Sequence, residues 1–415
     1  LWLRNDATGG DAVRILVLTN LYPNPFQPHR APFNRHQLRL LNCMHPVRVI
    51  APVAWTDELR ARWRGAAPLS DERITRFDGI TVEHPRYLFP PRLLRRYYGH
   101  FYLASVRSAF RRALIEFRPD LAFAPWAYPD GWSAVRLARR HGLPVVVQVH
   151  GSDVLLLGQF PTRRARTVEA VRGADGVVAV SRDLAGHLCT LGVEANRVRV
   201  VYDGVDRALF YSGLKGEARR RLQLPDEERL VLFIGNLVPV KGLDVLLESV
   251  GILAREKLIV RLHVIGQGPL RRSLEQQAER LGLAGQAYFH GALPQQHLPG
   301  WYRAADLFVL PSHSEGVPNV LLEASACGTS WVASRVGGIP EIAHLGRSTL
   351  VAPNRPAELA QAIRERLCTP LAGELLPAPV PSREEAVNEL AAFLQQVVAQ
   401  HRRQAVRAPD FAEAT

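Results

Sequence analysis

The sequence predicts an α/β protein built from two doubly wound, parallel-sheet domains. Short runs rich in Val, Ile and Leu alternate with amphipathic helical segments almost throughout, the pattern of parallel strands crossed by helices. The same alternation starts afresh after Asp203-Gly204-Val205-Asp206 and a polar stretch, which marks a second domain. With 415 residues, 47% of them hydrophobic, the chain has enough apolar material for two cores of ordinary size.

Taken in order, the β-branched runs place strands at 13–19, 47–52, 79–85, 120–126, 144–150, 176–181 and 197–202 in the first half. The second half has them near 229–235, 259–265, 286–290, 306–310, 330–334 and 348–352. A helix near 356–368 precedes LLPAPVPS, which its prolines keep from being helical. Ser382 and Glu385 then form the S-x-x-E pattern of a capping box at the start of a last helix. The expected domains are 1–205, 206–378 and a closing helix with its tail, 379–415, crossing back toward the first domain. Such a pair holds its ligand in the cleft where the carboxyl ends of the strands face one another.

The 52 basic residues outnumber the 39 acidic ones, giving +13 and favouring anionic partners. No nucleic-acid motif accompanies this charge, so nucleic acid is not expected among the partners. Lys215, Lys241 and Lys257 are the only lysines, so the chain writes almost all its cations as arginine. No run of about 18 apolar residues occurs, and the opening LWLRNDATGGD lacks the pattern of a signal peptide, which leads to the expectation of a cytosolic protein. Cys43, Cys189, Cys327 and Cys368 lack ligand spacing and are expected to be reduced packing residues.

The most informative stretch runs from Leu307 to Glu341, LFVLPSHSEGVPNVLLEASACGTSWVASRVGGIPE. A strand ends at Pro311, a polar loop carries Glu315 and Gly316, and a helix is expected to begin with Pro318 in its first turn. The N–H groups of Gly316, Val317, Asn319 and Val320, at the positive end of that helix, suit a diphosphate. Glu315 and Glu323 straddle the helix start, and a carboxylate beside an anion must turn away from it, toward neutral hydroxyls. Two polyhydroxy groups flanking a diphosphate describe a nucleotide sugar. The plainer alternative is a solvated Glu315 and a Glu323 that merely favours its own helix dipole.

This stretch resembles the donor-binding signature of the family-4 retaining glycosyltransferases, which pair two glutamates at this spacing. The resemblance extends from about Val13 to the final helix. It includes His150-Gly151-Ser152-Asp153, Val180-Ser181, Gly204-Val205-Asp206, Gly235 to Gly242, Val264-Ile265-Gly266-Gln267-Gly268 and Gly337-Gly338-Ile339-Pro340-Glu341. It implies a GT-B fold of two Rossmann-like domains, an active site between them, a nucleotide-diphosphate-sugar donor and retention of anomeric configuration. It also implies no required metal and no cofactor. Residue by residue, it assigns Glu315 to hydroxyls of the donor sugar, Glu323 to the ribose diol, His150 to the transferred sugar and Lys241 to the leaving diphosphate. Asn236 stands where the family often has arginine, and Arg182 is a candidate second cation. Arg30-Ala31-Pro32 replaces a usual glycine, and Thr329-Ser330-Trp331 a usual Pro-Val step.

The expected acceptor is a carbohydrate or lipid-linked hydroxyl, in glycolipid or exopolysaccharide synthesis. A nucleotide-sugar epimerase or phosphorylase-like enzyme on the same fold is the alternative. VIGQGP resembles a dinucleotide fingerprint, but Arg271 stands where its third glycine belongs. Finally, residues 86–118 hold eight arginines, one acidic residue and eight aromatics. They suggest peripheral contact with an anionic membrane through Arg92, Arg95 and Arg96, against the alternative of an ordinary helix with an aromatic core face and wet arginines.

Overall fold

The computed structural model describes residues 12–155, 157, 160–345, 347–368 and 379–407. They form two compact units. One comprises the chain up to Ala179, Ala185–Val201 and the chain from Val387 onward; the other comprises Val180–Leu184 and Tyr202–Ala386.

The first unit is built on ten strands: β1 (Ile15–Leu18), β2 (Val47–Ile50), β3 (Val53–Ala54), β4 (Ile74–Phe77), β5 (Ile80–Glu83), β6 (Arg86–Tyr87), β7 (Leu121–Ala124), β8 (Val145–Val149), β9 (Gly176–Ala179) and β10 (Val198–Val200). Eight make one sheet in the order β10-β9-β8-β7-β1-β2-β5-β4, while β3 and β6 pair separately. All neighbours in the large sheet are parallel except β4 and β5. ILVL in β1, LAFA in β7 and VVVQV in β8 are buried at every position, as strands covered on both faces must be. From β1 the chain continues to β2 on one side, whereas β7 to β10 extend from its other side. The strand order therefore reverses at β1 and β7, whose carboxyl ends frame a crevice.

The second unit holds β11 (Leu230–Ile234), β12 (Arg261–Ile265), β13 (Ala287–Gly291), β14 (Leu307–Leu310), β15 (Trp331–Ser334) and β16 (Ser348–Val351). Their order is β13-β12-β11-β14-β15-β16, all parallel. Phe233, Phe308 and Trp331 from the strands and Leu246, Leu247, Val250 and Leu253 from the helix Leu243–Arg255 belong to one buried core.

Every strand expected from the sequence is present. β3, β4 and β6 were not expected: two are only two residues long, and Ile74–Phe77 alternates between exposed and half-buried positions, with no continuous apolar run to announce it. The capping box forms as read. Ser382 N–H donates to Glu385 Oε2 at 2.8 Å, and Glu385 N–H donates to Ser382 Oγ at 3.1 Å, opening the helix Arg383–Arg407. From Val387 this helix belongs to the first unit, where Phe393 and Val397 close over Gly176. The cysteine reading needs correction. All four are free, but only Cys327 is buried, because the helices carrying Cys43, Cys189 and Cys368 turn those positions to solvent.

Candidate active site

In the second unit, the turn Pro239–Lys241 follows β11 and ends at Gly242, whose φ of 63° is left-handed. Gly242 lies so close to the carbonyl oxygen of Pro311 that a Cβ would collide with it, and His313 N–H donates to Val240 O at 2.8 Å. The lysine turn is thereby docked on the loop that follows β14. The result is a compact polar cluster: Lys241 Nζ donates to Glu315 Oε1 at 2.6 Å, and Ser312 Oγ donates to the same oxygen at 2.7 Å. These are short, charge-assisted contacts between half-enclosed groups. Two residues 74 positions apart in sequence, each picked for the same site, stand side by side.

Beyond Glu315 the helix Asn319–Ala326 begins one residue later than expected. Pro318 precedes it in an extended conformation (φ −77°, ψ 118°), because proline fixes φ and leaves ψ free to stay outside the helix. Leu321 N–H donates to Pro318 O at 3.0 Å. Among the described residues, the N–H groups of Gly316, Val317, Asn319 and Val320 have no acceptor outside this helix start. The Gly337-Gly338 turn backs them: Gly338 N–H donates to Gly316 O at 2.8 Å, and left-handed Gly337 (φ 52°) lies against the Glu315 carbonyl too closely for any Cβ.

Glu323 points inward and accepts from Tyr302 Oη at 3.0 Å and Gln295 Nε2 at 3.4 Å. Burial pushes its carboxyl up to about 7. The plainer alternative, in which Glu323 serves only the dipole of its own helix, does not describe this buried, paired carboxyl. Asn236 and Arg182 are exposed, and no hydrogen bond among the described residues joins their side chains to Lys241 or Glu315. Arg182 instead lines a cavity of about 280 Å³ with Asp203, Leu322 and Glu341. Glu341, which carried no role in the sequence reading, takes the Arg182 N–H at 2.8 Å, the Asp183 N–H at 2.7 Å and the Tyr202 hydroxyl at 2.6 Å. Its carboxylate sits at the positive end of the helix Arg182–Thr190.

In the first unit, His150 follows β8. Its ring bonds the Pro125 carbonyl, and burial pulls its pKa down to about 4, so the imidazole is neutral. Nε2 has no partner. Phe33 meets the ring edge-on at 5.2 Å and Trp126 stacks at 6.1 Å. Asp153 fixes the turn: Oδ1 accepts the N–H groups of His150 and Gly151, both at 3.0 Å, and Oδ2 that of Ala127 at 3.2 Å. Burial raises Asp153 to about 6. Asp130, which had no sequence signal at all, is fully buried and raised by burial to about 7, with Oδ2 accepting from Thr19 Oγ1 at 3.2 Å and Asn20 N–H at 3.0 Å.

The aromatic stretch differs from expectation. Its rings do not form an outward belt: Tyr87 packs on Phe89 at 4.7 Å and Tyr102 at 5.3 Å, and Phe89 on Tyr98 at 5.0 Å. The helix Tyr98–Glu116 buries Tyr102, Val106, Ala109, Phe110 and Ala113, which share one face at helical spacing. The exposed apolar groups are Leu88 (57%), Leu93 (67%) and Leu94 (54%), beside exposed Arg92, Arg95 and Arg96, together with Tyr97 (41%) and, near the end of the helix, Ile115 (75%). Among the described residues no helix is long and apolar enough to cross a membrane, and no group of three or more His, Cys, Asp or Glu side chains is gathered as metal ligands would be.

Two family models match in succession, Glycosyltransferase Family 4 over residues 35–209 and Glycosyl transferases group 1 over residues 215–372. D-inositol 3-phosphate glycosyltransferase 1 of Catenulispora acidiphila is 31% identical over 368 residues, covering 81% of this chain and 85% of that one. The chain belongs to the family-4, group 1 glycosyltransferases. A second such enzyme of the same organism is 38% identical over 262 residues, 58% of this chain, and the match spans 60% of that relative's length. A putative teichuronic acid biosynthesis glycosyltransferase, TuaC of Bacillus subtilis, is 29% identical over 85% of this chain and 88% of its own. Among solved structures, sucrose-phosphate synthase from Thermosynechococcus elongatus superposes with a TM-score of 0.71 at 20% identity, covering 96% of this chain and 100% of that one. Anabaena HepE in complex with UDP-glucose gives 0.64 at 18% identity, covering 95% and 99%. The fold is GT-B.

Proposed function

We propose that the protein moves a sugar from a nucleoside-diphosphate sugar to an acceptor hydroxyl with retention of configuration, needing neither metal nor cofactor. The observation that carries this reading is the Lys241–Glu315–Ser312 cluster beside the unpaired N–H groups at the start of the helix Asn319–Ala326. The acceptor oxygen bonds to the anomeric carbon as the bond from that carbon to the diphosphate oxygen breaks, and the acceptor proton passes to the leaving phosphate on the same face. The products are a glycoside and a nucleoside diphosphate. Lys241 and the helix amides stabilise the charge that builds on the leaving group, the part a divalent cation plays elsewhere. Glu315 orients hydroxyls of the donor sugar, Glu323 the ribose diol, and unpaired Nε2 of neutral His150 accepts from a sugar hydroxyl. A UDP-sugar is the first donor to test, since HepE was solved with UDP-glucose.

A lipid-linked acceptor is met at a surface, where Leu93 and Leu94 enter the apolar boundary and Arg92 faces anionic headgroups in glycolipid or exopolysaccharide synthesis at the cytoplasmic face. The test is product analysis. Protein incubated with UDP-, GDP- and ADP-glucose and a mixed acceptor pool is expected to yield a glycoside whose anomeric proton matches the donor, with undiminished rate in EDTA. An inverted product, epimer exchange without acceptor, or a loss in EDTA restored by manganese overturns the corresponding part. Sedimentation with anionic but not zwitterionic vesicles tests the surface.

A further inference from the structure

We propose that Tyr302 is a positioning residue for the donor: its hydroxyl, seated by the loop after the helix Asn319–Ala326, holds the Glu323 carboxylate turned to receive the ribose diol of a nucleotide sugar. The inference rests on the transferase reading above, in which Glu323 takes that diol. Tyr302 is fully buried on the helix Leu298–Ala304, its ring tilted against Phe308 at 5.4 Å and edge-on to Phe210 at 6.0 Å. From there Oη donates to Glu323 Oε2 at 3.0 Å, while Gln295 Nε2, in the turn just ahead of the same helix, donates to Oε1 at 3.4 Å. One segment thus brings a donor to each oxygen of a residue that keeps only 7% of its surface exposed. An ionised carboxylate has about four acceptor positions, so about two are left, and a vicinal diol has a hydroxyl for each.

Thr329 and Trp331, from the stretch that replaces a usual Pro-Val step, build the seat. Thr329 Oγ1 donates to Tyr302 O at 2.7 Å, and Trp331 Nε1 donates at 2.9 Å to Oγ of Ser325, on the helix that carries Glu323; both contacts are buried. Tyrosine and carboxyl are therefore each held from behind, one through its backbone and the other through its helix. The Tyr302 hydroxyl also acts on charge. Burial pushes the Glu323 carboxyl up to about 7, and hydrogen bonds from Tyr302 and Gln295, with the nearby cation of Arg383, oppose that push by favouring the anion. Burial raises the Tyr302 phenol well above its ordinary value and the neighbouring Cys327 thiol to about 12. Arg383 is a fixed cation, so of the groups facing this spot only Glu323 changes charge between about pH 5.5 and 8.5. The anion accepts from both ribose hydroxyls, whereas a protonated carboxyl gives up an acceptor position to its own proton. Recognition of the diol therefore strengthens as pH rises through about 7 and fades as it falls.

The test measures, from about pH 5.5 to 8.5, how much more tightly the full chain binds a nucleotide sugar than its 2′-deoxyribose counterpart, with whichever of UDP-, GDP- and ADP-glucose binds best. This ratio cancels every titration that treats the two ligands alike. It is expected to reach about tenfold at the alkaline end and to fall as pH drops through about 7. Tyr302→Phe keeps the ring and removes the hydroxyl that favours the anion, so the midpoint of that fall is expected to rise by about one unit. Gln295→Met shifts it the same way by less, and answers in place of Tyr302→Phe if circular dichroism shows that variant unfolded. Tyr288→Phe, the same chemical change at an exposed tyrosine that bonds Gly285 O, leaves the midpoint in place. A loss of affinity equal at every pH, with the midpoint unmoved in both Tyr302→Phe and Gln295→Met, marks a merely structural tyrosine and overturns the proposal. Glu323→Gln separates that failure from failure of the donor reading: a ratio unchanged in this variant means that Glu323 does not hold the ribose, and no binding of any of the three nucleotide sugars removes the donor reading and the proposal with it.

Discussion

The two units share an architecture, and the groups around Lys241 in one and around His150 in the other handle polarity in opposite ways. In the second unit the charges are kept and matched: Lys241 lies on Glu315, Ser312 supports the same oxygen, and a helix start presents bare N–H groups. In the first unit burial moves the groups toward neutrality, with His150 lowered to about 4, Asp153 raised to about 6 and Asp130 to about 7. A diphosphate needs fixed positive charge, which is most effective when held in place before the reaction. A sugar hydroxyl needs a lone pair or a proton at a defined point, and a neutral side chain supplies that without the cost of desolvating an ion. Away from the Lys241 cluster the second unit also neutralises what it buries: Asp203 is raised to about 6, His263 is lowered to about 4, and Glu323, buried beside Tyr302 and assigned to a neutral diol, is raised to about 7.

The largest effect that sharpens this contrast is expected at Lys241. Lys241→Ala should lower turnover at saturating donor by about 100-fold or more, the usual scale for removing one preorganised charge-stabilising donor. Glu315→Gln, which keeps shape and hydrogen bonding but not charge, should cost about tenfold. Because the two side chains touch, the double variant should lose less than the product of the single losses. Turnover compared with circular dichroism melts checks this, and a near-normal rate for Lys241→Ala would remove the charged half of the comparison.

The next effect addresses the neutral half through pH. A carboxyl raised to about 7 holds its proton in the folded chain where an unfolded one, near 3.9, has released it. Its contribution to stability is therefore greatest at low pH and falls as pH rises from about 4 through 7. His150 works with the opposite sign: lowered to about 4, it leaves the unfolded chain holding the extra proton, so stability is lost as pH falls from about 6.5 toward 4. The raw melting curve mixes the two. Asp130→Asn isolates one, because an amide retains an oxygen for Thr19 and Asn20 yet cannot ionise. Relative to the unsubstituted chain, the variant's melting temperature should climb by roughly several degrees between about pH 5.5 and 8.5. A flat difference would mean that Asp130 is ionised throughout and that the contrast fails there.

How far the sequence reaches depends on whether a feature is written locally. The buried strands of both sheets announce themselves as apolar runs, and the Ser382–Glu385 cap is a four-residue pattern that forms atom for atom. The meeting of Lys241 with Glu315 was legible through family resemblance and through the scarcity of lysine, not through distance in the chain. Pro318 was misplaced by one residue because its fixed φ suits both a helix and the extended residue before one. Asp130 was passed over, and Asp153 and Glu341, though inside quoted motifs, were given no role, because the sequence does not show that an acid will be buried to hold backbone N–H groups. The aromatics of 86–118 left two readings, a membrane-facing surface and a core face, because composition does not say which helix face meets the sheet; the spacing of Tyr102, Val106, Ala109, Phe110 and Ala113 does.

The smallest expected effect returns to the backbone, where the units differ in the same sense. Near its site the second unit fills left-handed positions with glycine, Gly242 and Gly337. The first unit places Ala31 there, at φ 46° and ψ 63°, immediately before the helix Pro32–Met44. An alanine in that region costs about 1–2 kcal/mol, because its Cβ crowds the following carbonyl. The conformation is imposed by its surroundings: Arg30 donates through Nε to Asn20 O at 2.8 Å and through Nη1 to Gln27 Oε1 at 2.6 Å, and Pro32 fixes the next φ. Ala31→Gly relieves the crowding but gives the unfolded chain more freedom, an offset of about 0.4–1 kcal/mol. The net gain should be about 1 kcal/mol or less, a rise of about 2–4 °C per kcal/mol for a unit of this size. Ala31→Val, with a branched Cβ in the same conformation, should lower the melting temperature. If glycine leaves it unchanged and valine is harmless, Ala31 is not strained, and the first unit has simply built its entry loop without the freedom that the second unit needs glycine to provide.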